Sequence, residues 1–325
     1  MDVSVVIPTF NREKLLLKTV EHLAHQDVGN FSYEVVYVIN GSTDGSEAVL
    51  KDAVARWPGR IRYFYNPPSG SPARPRNTGI RAAKGNVVVL IDDDVIPDSR
   101  LVFHHAEFHR RHPEPQFAAV GELKVPDEVM DDPASMFHEL TNYDTLRRKE
   151  KLGFLDFWTC NVSLKRQFML DFGMFDENLQ WFEDGLCGYH LASNGMELRF
   201  LPEARGLHLH ELKVADVAAR GAFIGRTLYA FEQLVPHREV RLRYGILSTD
   251  IGPKAYLKRL VNRGALFSLS NPLFMAGLKA VATSSTKRNR ITDLYYYLLF
   301  RRNNLAGYRE AKRGARRGAQ PAHSV

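Results

Sequence analysis

The sequence predicts an α/β fold, a doubly wound, mostly parallel sheet of the nucleotide-binding kind with a helical extension behind it. Three observations carry this. Short aliphatic runs alternate with helix-period segments through roughly the first 125 residues, the pattern of strands joined by helical crossovers. One run, Val87-Val-Val-Leu-Ile91, is aliphatic at every position, which suits a strand buried on both faces. Beyond Glu211 the spacing is helical, with no strand pattern.

Taken in order, Val3–Ile7 reads as the first strand and runs into Pro8-Thr-Phe-Asn-Arg12. Leu15, Leu16, Val20 and Leu23 then mark one face of a helix over Glu13–Ala24. Val35–Ile39 is a second strand, and Asn40-Gly-Ser-Thr-Asp-Gly45 supplies the turn and cap for a helix over Ser46–Trp57. Ile61–Tyr65 is a third strand, followed by the loop Asn66-Pro-Pro-Ser-Gly70. A helix from about Ser71 to Ala83 has Pro72 in its first turn, where the missing N–H costs little. The Val87–Ile91 strand stops at Asp92, Asp93 and Asp94. Three adjacent carboxylates repel one another, so their clustering makes best sense around a hard divalent cation such as Mg²⁺ or Mn²⁺; a solvated acidic turn is the plain alternative. Further on, Ser99–Arg111 has helical spacing and Phe117–Lys124 strand character. Asp127–Lys151 reads as loop with a short helix, and Phe157–Arg166 as a strand running into a helix.

With 325 residues, 44% of them apolar and 25% charged, the chain has the composition of an ordinary globular protein with room for one large domain and an appendage. The start, Met1-Asp-Val-Ser-Val-Val-Ile7, lacks the basic lead of a signal peptide. Cys160 and Cys187 form neither a disulfide framework nor a zinc spacing, so both are expected as small packing residues in a reducing cytoplasm. The net charge of +7 is concentrated at the end: from Thr286 onward ten Lys and Arg face only Asp293 and Glu310. Such a basic extension on a near-neutral body suits an anionic membrane surface, at the inner face of the cell membrane, or a polyanion more than a nucleic-acid-reading domain, although the last dozen residues also read as a solvated tail.

Two alternatives fail on motifs. A dinucleotide-binding dehydrogenase needs Gly-x-Gly-x-x-Gly after its first strand, where this chain has Pro8-Thr-Phe-Asn-Arg12. A nucleotidyltransferase or phosphate-loop protein needs a glycine-rich loop with a lysine, which is absent as well. A metal then becomes the means of holding any diphosphate.

The ordered set of motifs resembles family 2 of the inverting, nucleotide-sugar-dependent glycosyltransferases, which have the GT-A fold. Val3-Ser-Val-Val-Ile-Pro-Thr-Phe-Asn-Arg12 resembles that family's opening strand and nucleotide loop, and Gly41-Ser-Thr-Asp-Gly45 its second nucleotide loop. Arg76-Asn77, Gly79 and Ala83-Lys-Gly85 resemble the helix before the metal strand. Asp92-Asp-Asp94 resembles the Asp-x-Asp signature, and Gly173–Glu177 with Glu183-Asp184 the segment that carries the base. Each motif is weak alone and strong in this order.

The resemblance implies a catalytic domain over residues 1–210, with a donor half to about 125 and an acceptor half from 126, then a helical region over 211–325 ending in the basic tail. Pro8, Thr9, Asn11, Asn40, Arg76, Asp92 and Asp93 would bind the donor, with Arg76 pairing phosphate oxygens. Asp94, Asp92 and His208 would hold the metal, with His210 an outside candidate. Asp184, beside Glu183, would be the general base, and Trp181 would lie on the acceptor side. The acceptor would be a hydroxyl of a glycan or lipid-linked molecule. Many members carry an aspartate where Ile39 stands, to accept a hydrogen bond from uracil; isoleucine cannot, although the Asn40 carbonyl is available. UDP-sugars are favoured as donors, with TDP and GDP left open. Leu186 and His190 also depart from frequent family residues. The competing reading is an inactive relative that binds sugar nucleotides or glycans; the joint presence of Asp92, Asp94 and Asp184 argues against it.

In the extension, Gly264–Ser285 is apolar but too interrupted to span a membrane. Tyr295-Tyr-Tyr-Leu-Leu-Phe300 before Arg301-Arg302 reads either as an interfacial segment or as a helix packed on the catalytic domain.

Overall fold

The computed structural model describes residues 1–132, 143–209, 214–269, 271–285 and 287–317. Packing divides the chain into two units, one of Met1–Pro126 with Asn142–His210 and one of Asp127–Thr141 with Glu211–Val325.

The first unit is built on one eight-stranded sheet. Its opening half alternates β1 (Val3–Thr9), α1 (Glu13–Ala24), β2 (Tyr33–Asn40), α2 (Ser46–Arg56), β3 (Ile61–Asn66), α3 (Ala73–Ala82) and β4 (Val87–Ile91). β1 and β4 are buried at every position, as uninterrupted aliphatic runs demand of strands covered on both faces. A three-residue β5 (Val95–Pro97), α4 (Leu101–Arg111) and β6 (Phe117–Lys124) follow. The short helices α5 (Asp127–Met130) and α6 (Tyr143–Arg147) precede β7 (Asn161–Lys165), α7 (Arg166–Phe172), α8 (Glu183–Ser193) and the long β8 (Glu197–His208).

The strand order is β3-β2-β1-β4-β7-β6-β8-β5. β3, β2, β1 and β4 run parallel, and β7 enters antiparallel between β4 and β6. The chain winds outward from β1 to β3 and then returns to place β4 on the other side of β1. That reversal opens a crevice at the carboxyl ends of β1 and β4, where ligands bind in sheets of this kind. α3 lies so close to β1 that a Cβ on Gly79 would meet Val6 Cγ1 at 2.4 Å.

α4 and β7 share a buried polar cluster. His105 Nδ1 is 2.7 Å from Ser163 Oγ and its Nε2 2.9 Å from Asn161 Oδ1, while His109 Nε2 reaches the same Ser163 hydroxyl at 2.9 Å. Burial pulls the His105 pKa down to about 4 and holds that of His109 well below the usual histidine range. Both rings are therefore neutral in the fold, whereas in the unfolded chain they take up protons near the ordinary value of about 6.5. The unfolded state then binds more protons, so this contribution to stability is complete above that value and is lost as pH falls toward 4. Urea midpoints should accordingly drop between pH 7 and pH 5, and less steeply in His105→Gln; equal slopes in the two proteins would disprove the assignment.

The second unit is helical in its described part: α9 (Val217–Leu234), α10 (Arg238–Tyr244), α11 (Pro253–Leu269), α12 (Pro272–Ser284) and the 27-residue α13 (Arg290–Arg316). Two expectations change here. Tyr295, Tyr296, Leu298 and Phe300 are buried in this unit's own core with Val217 of α9, so this run is a packed helix and not an interfacial segment. Residues 127–132, expected in the acceptor half, are grouped by packing with the helical unit, where Lys287 Nζ and the Arg288 N–H both bind Asp131.

Candidate active site

The ends of β1, β4 and β8 and the start of α8 bring the predicted residues together. β4 releases the chain at Asp92, and β5 pairs with β8 so that Val95 stands opposite His208. His208 Nε2 thereby comes within 3.2 Å of Asp94 Oδ1, and one ligand atom from each of Asp92, Asp94 and His208 lies within 4.8 Å of the others. Burial works against the charged imidazole, but the hydrogen bond and charge of Asp94, helped by Asp92, outweigh it and raise the His208 pKa. Two carboxylates and an imidazole converging this closely form a donor set that fits a divalent ion such as Mn²⁺ or Mg²⁺. His210 lies outside the described residues.

Asp93 turns away from that set, toward Arg12, whose Nε is 3.5 Å distant while its Nη2 lies 3.6 Å from Asp94. Burial, followed by the repulsion of Asp94, pushes the Asp93 pKa up to about 7. Thr9 is buried at the end of β1, and Pro8 pairs with Val38 within the sheet. Asn11 adopts a left-handed backbone (φ 53°), tolerated by asparagine, and its carbonyl accepts the Thr43 N–H at 2.8 Å. With Ser42 Oγ accepting the Asn11 N–H, the two predicted nucleotide loops are tied to each other. Asn40 is likewise occupied: its carbonyl accepts from Ser69 Oγ and its amide donates to the Ser71 carbonyl.

Arg76 is 4% exposed and holds two carboxylates. Nη2 donates to Asp92 Oδ1 at 2.8 Å and Nη1 to Glu183 Oε1 at 2.7 Å. The neighbouring Asn77 grips the other side of the site, its amide donating to the Phe175 carbonyl and to Glu177 while its own carbonyl accepts the Phe175 N–H. The Arg76-Asn77 pair thus clamps the 173–183 segment onto α3. Phe182 enters α8 with φ 67°, a conformation that costs an aromatic residue about 1–3 kcal/mol and is retained because Phe182 is buried. Trp181 before it is half-buried.

The clamp separates the two acids at the start of α8. Burial raises the pKa of Glu183, but Arg76 neutralises its charge. Asp184 accepts a hydrogen bond from the Gly185 N–H, at 2.7 Å, and burial with the adjoining Glu183 charge pushes its pKa up to about 7. A half-buried carboxylate of that basicity can take a proton at neutral pH. Both cysteines are buried packing residues; the Cys187 thiol donates to the Gly173 carbonyl. Sequence reasoning named Arg12 only as part of a motif. Its neighbours Asp93 and Asp94 lie some eighty residues away, and nothing local to Arg12 signals them.

The comparisons agree with this architecture. The validoxylamine A glucosyltransferase of Streptomyces hygroscopicus subsp. limoneus is 29% identical over 246 residues, which covers 66% of this chain and 54% of that protein. This chain therefore spans about half the length of that relative. Among solved structures, the mannosyltransferase PcManGT from Pyrobaculum calidifontis, in complex with GDP-Man and Mn²⁺, superposes with a TM-score of 0.63 at 16% identity, covering 94% of this chain and 86% of its own. S. aureus TarS 1-349, in complex with UDP-GlcNAc, gives 0.54 at 18% identity, with 98% and 92% covered. These likenesses establish a GT-A fold. The model of glycosyl transferase family 2 matches residues 4–172, just over half of the chain, and this protein belongs to that family.

Proposed function

We propose that this protein transfers a sugar from a nucleotide-diphosphate sugar to a hydroxyl of a glycan or lipid-linked acceptor, with inversion at the anomeric carbon. The observation that carries the reading is the Arg76 bridge, which joins Asp92 of the metal-ligand set to Glu183 beside the basic carboxylate of Asp184. Asp92, Asp94 and His208 would hold a divalent cation, which when bound neutralises charge on the departing nucleoside diphosphate. Asp184 takes the proton of the acceptor hydroxyl as it attacks, and its raised pKa matches that task near neutrality. Arg76 fixes the start of α8 against the end of β4, so the base keeps a constant distance from the donor end of the crevice. Arg12 adds positive charge at the crevice rim.

GDP-Man and UDP-GlcNAc in the two fold neighbours support a nucleotide-sugar donor, and Mn²⁺ in one of them supports the cation. UDP remains favoured as the nucleotide. We also place the protein in the cytoplasm at the inner face of the cell membrane, a reading supported by the excess of basic residues after Thr286. A panel of UDP-, GDP- and TDP-sugars with Mn²⁺ or Mg²⁺ tests the donor assignment by thermal shift. The true donor at a hundredfold excess over its Kd adds about 2.7 kcal/mol of stability, and no shift with any sugar nucleotide would defeat the proposal.

A further inference from the structure

β8 reaches the metal-ligand set by way of an irregularity. In its pairing with β6, Gly121 stands opposite Leu201 but Glu122 opposite Arg205, so Pro202, Glu203 and Ala204 are looped out of the ladder. Such bulges bend a strand and re-aim the side chains beyond them. The size of this one decides which residue of β8 stands opposite Val95 of β5, and with it which side chain meets Asp94. Side chains alternate between the faces of a sheet, so a bulge one residue longer or shorter would carry His208 to the opposite face.

One side chain holds the bulge in place. Asn161 is fully buried, and its backbone pairs with Ile91, the residue before Asp92. Its Nδ2 donates to the Ala204 carbonyl at 2.9 Å. Asn161 therefore touches both strands that lead to ligands, β4 through the ladder and β8 through its amide. Gly121 makes room for that bond: a Cβ there would come within 2.3 Å of Asn161 Nδ2 and 2.4 Å of the Ala204 oxygen.

The polar cluster behind Asn161 fixes which way its amide points. A backbone carbonyl can only accept, so the Asn161 NH₂ faces Ala204 and its oxygen faces His105. His105 Nε2 then carries the proton, its Nδ1 accepts the Ser163 hydroxyl, and Ser163 Oγ accepts from His109 Nε2. A flipped amide would set oxygen against the Ala204 oxygen and NH₂ against the His105 N–H, and both contacts would be repulsive.

We propose that Asn161, oriented by His105, is a positioning residue for the metal site: it pins the β8 bulge so that His208 arrives beside Asp94. The inference rests on the metal-ligand part of the proposed function.

Mn²⁺ titration of the full-length protein, read by the paramagnetic resonance of the free ion, tests it together with the melting temperature and the NMR signals of the histidine ring nitrogens. Asn161→Ala should weaken Mn²⁺ binding by about tenfold or more, the usual effect of removing a group that orients a ligand. Added to His208→Ala it should weaken binding no further, because the side chain it positions is gone. His105→Leu should also weaken the ion, whereas His105→Gln, whose amide can donate to Asn161 and accept from Ser163, should keep wild-type affinity. Without any ion, the His208 Nε2 signal should move in Asn161→Ala and stay in place in His105→Gln. Lower melting temperatures with undiminished Mn²⁺ affinity would give Asn161 and His105 a packing role alone and overturn the proposal, as would an Asn161→Ala effect that persists in the His208→Ala background. Should Asn161→Ala not fold, the two His105 variants decide, and equal affinities overturn it. A wild type that takes up no Mn²⁺ defeats the ion assignment only; an unmoved His208 signal in Asn161→Ala defeats this inference in either case.

Discussion

Asp184→Asn lowers turnover by about two to four orders of magnitude, the usual worth of a general base, while donor affinity stays close to wild type. Asparagine keeps the shape of the side chain and can still accept the Gly185 N–H, but it cannot take a proton. Stability supplies a second readout with a defined sign. A carboxyl raised to about 7 in the fold, against an ordinary value near 3.9, makes the folded state bind the extra proton, so this group's contribution is lost as pH rises toward and through 7. The variant should therefore melt no lower than wild type at pH 8, and wild-type kcat/KM should climb with pH through about 7. Were Asp184→Asn to keep full turnover while Glu183→Gln lost it, the base would be Glu183; if both kept it, the inverting scheme fails.

Asp94→Asn removes the metal-dependent part of donor binding. Asp94 is 4% exposed, faces His208, and is one of the three side chains able to reach a common ion. Amide oxygen is a poorer ligand than carboxylate for a hard cation. Calorimetric titration of the assigned donor with and without Mn²⁺ should show wild-type affinity strengthened by the ion and the variant unresponsive to it. An unchanged metal response would remove Asp94 from the ligand set.

The legibility of this protein from sequence varied with the physical origin of each element. β1, β2 and β4 are largely apolar runs between capping and turn residues, buried at every position, and they lie within two residues of their expected bounds because two-sided burial permits nothing else; β3 and β6 also lie within two residues of theirs, although β3, Ile61-Arg-Tyr-Phe-Tyr-Asn66, is mostly half-buried. β8 was harder to read. It carries Arg199, Pro202, Glu203 and Arg205 and alternates irregularly between burial and exposure, so its pattern is fixed by pairing with β5 and β6 and not by its own composition. The antiparallel entry of β7 was also invisible, since a strand's periodicity carries no direction. Asp92, Asp94 and His208 were named from motifs far apart in the sequence, and the fold brings one ligand atom of each within 4.8 Å of the others, while Asp184 lies in the first turn of α8. The partner of Arg76 was not legible: a buried guanidinium between carboxylates 16 and 107 residues away leaves no local signature. In the helical unit, the aromatic run of α13 and the exposed run of α11 look alike in sequence. Only contact with α9 distinguishes them.

The pairing of β8 with β5 also has a consequence for the order in which the molecule comes into being. Val95 finds its partner at His208, and β6 its partners from Glu197 onward, so the distal edge of the sheet closes through contacts made across long stretches of chain. Loop closure makes such contacts slow to form. During synthesis the aspartates leave the ribosome long before the imidazole that completes their cluster. The convergence of Asp92, Asp94 and His208 is therefore a property of the finished sheet alone, acquired at the last step of its assembly.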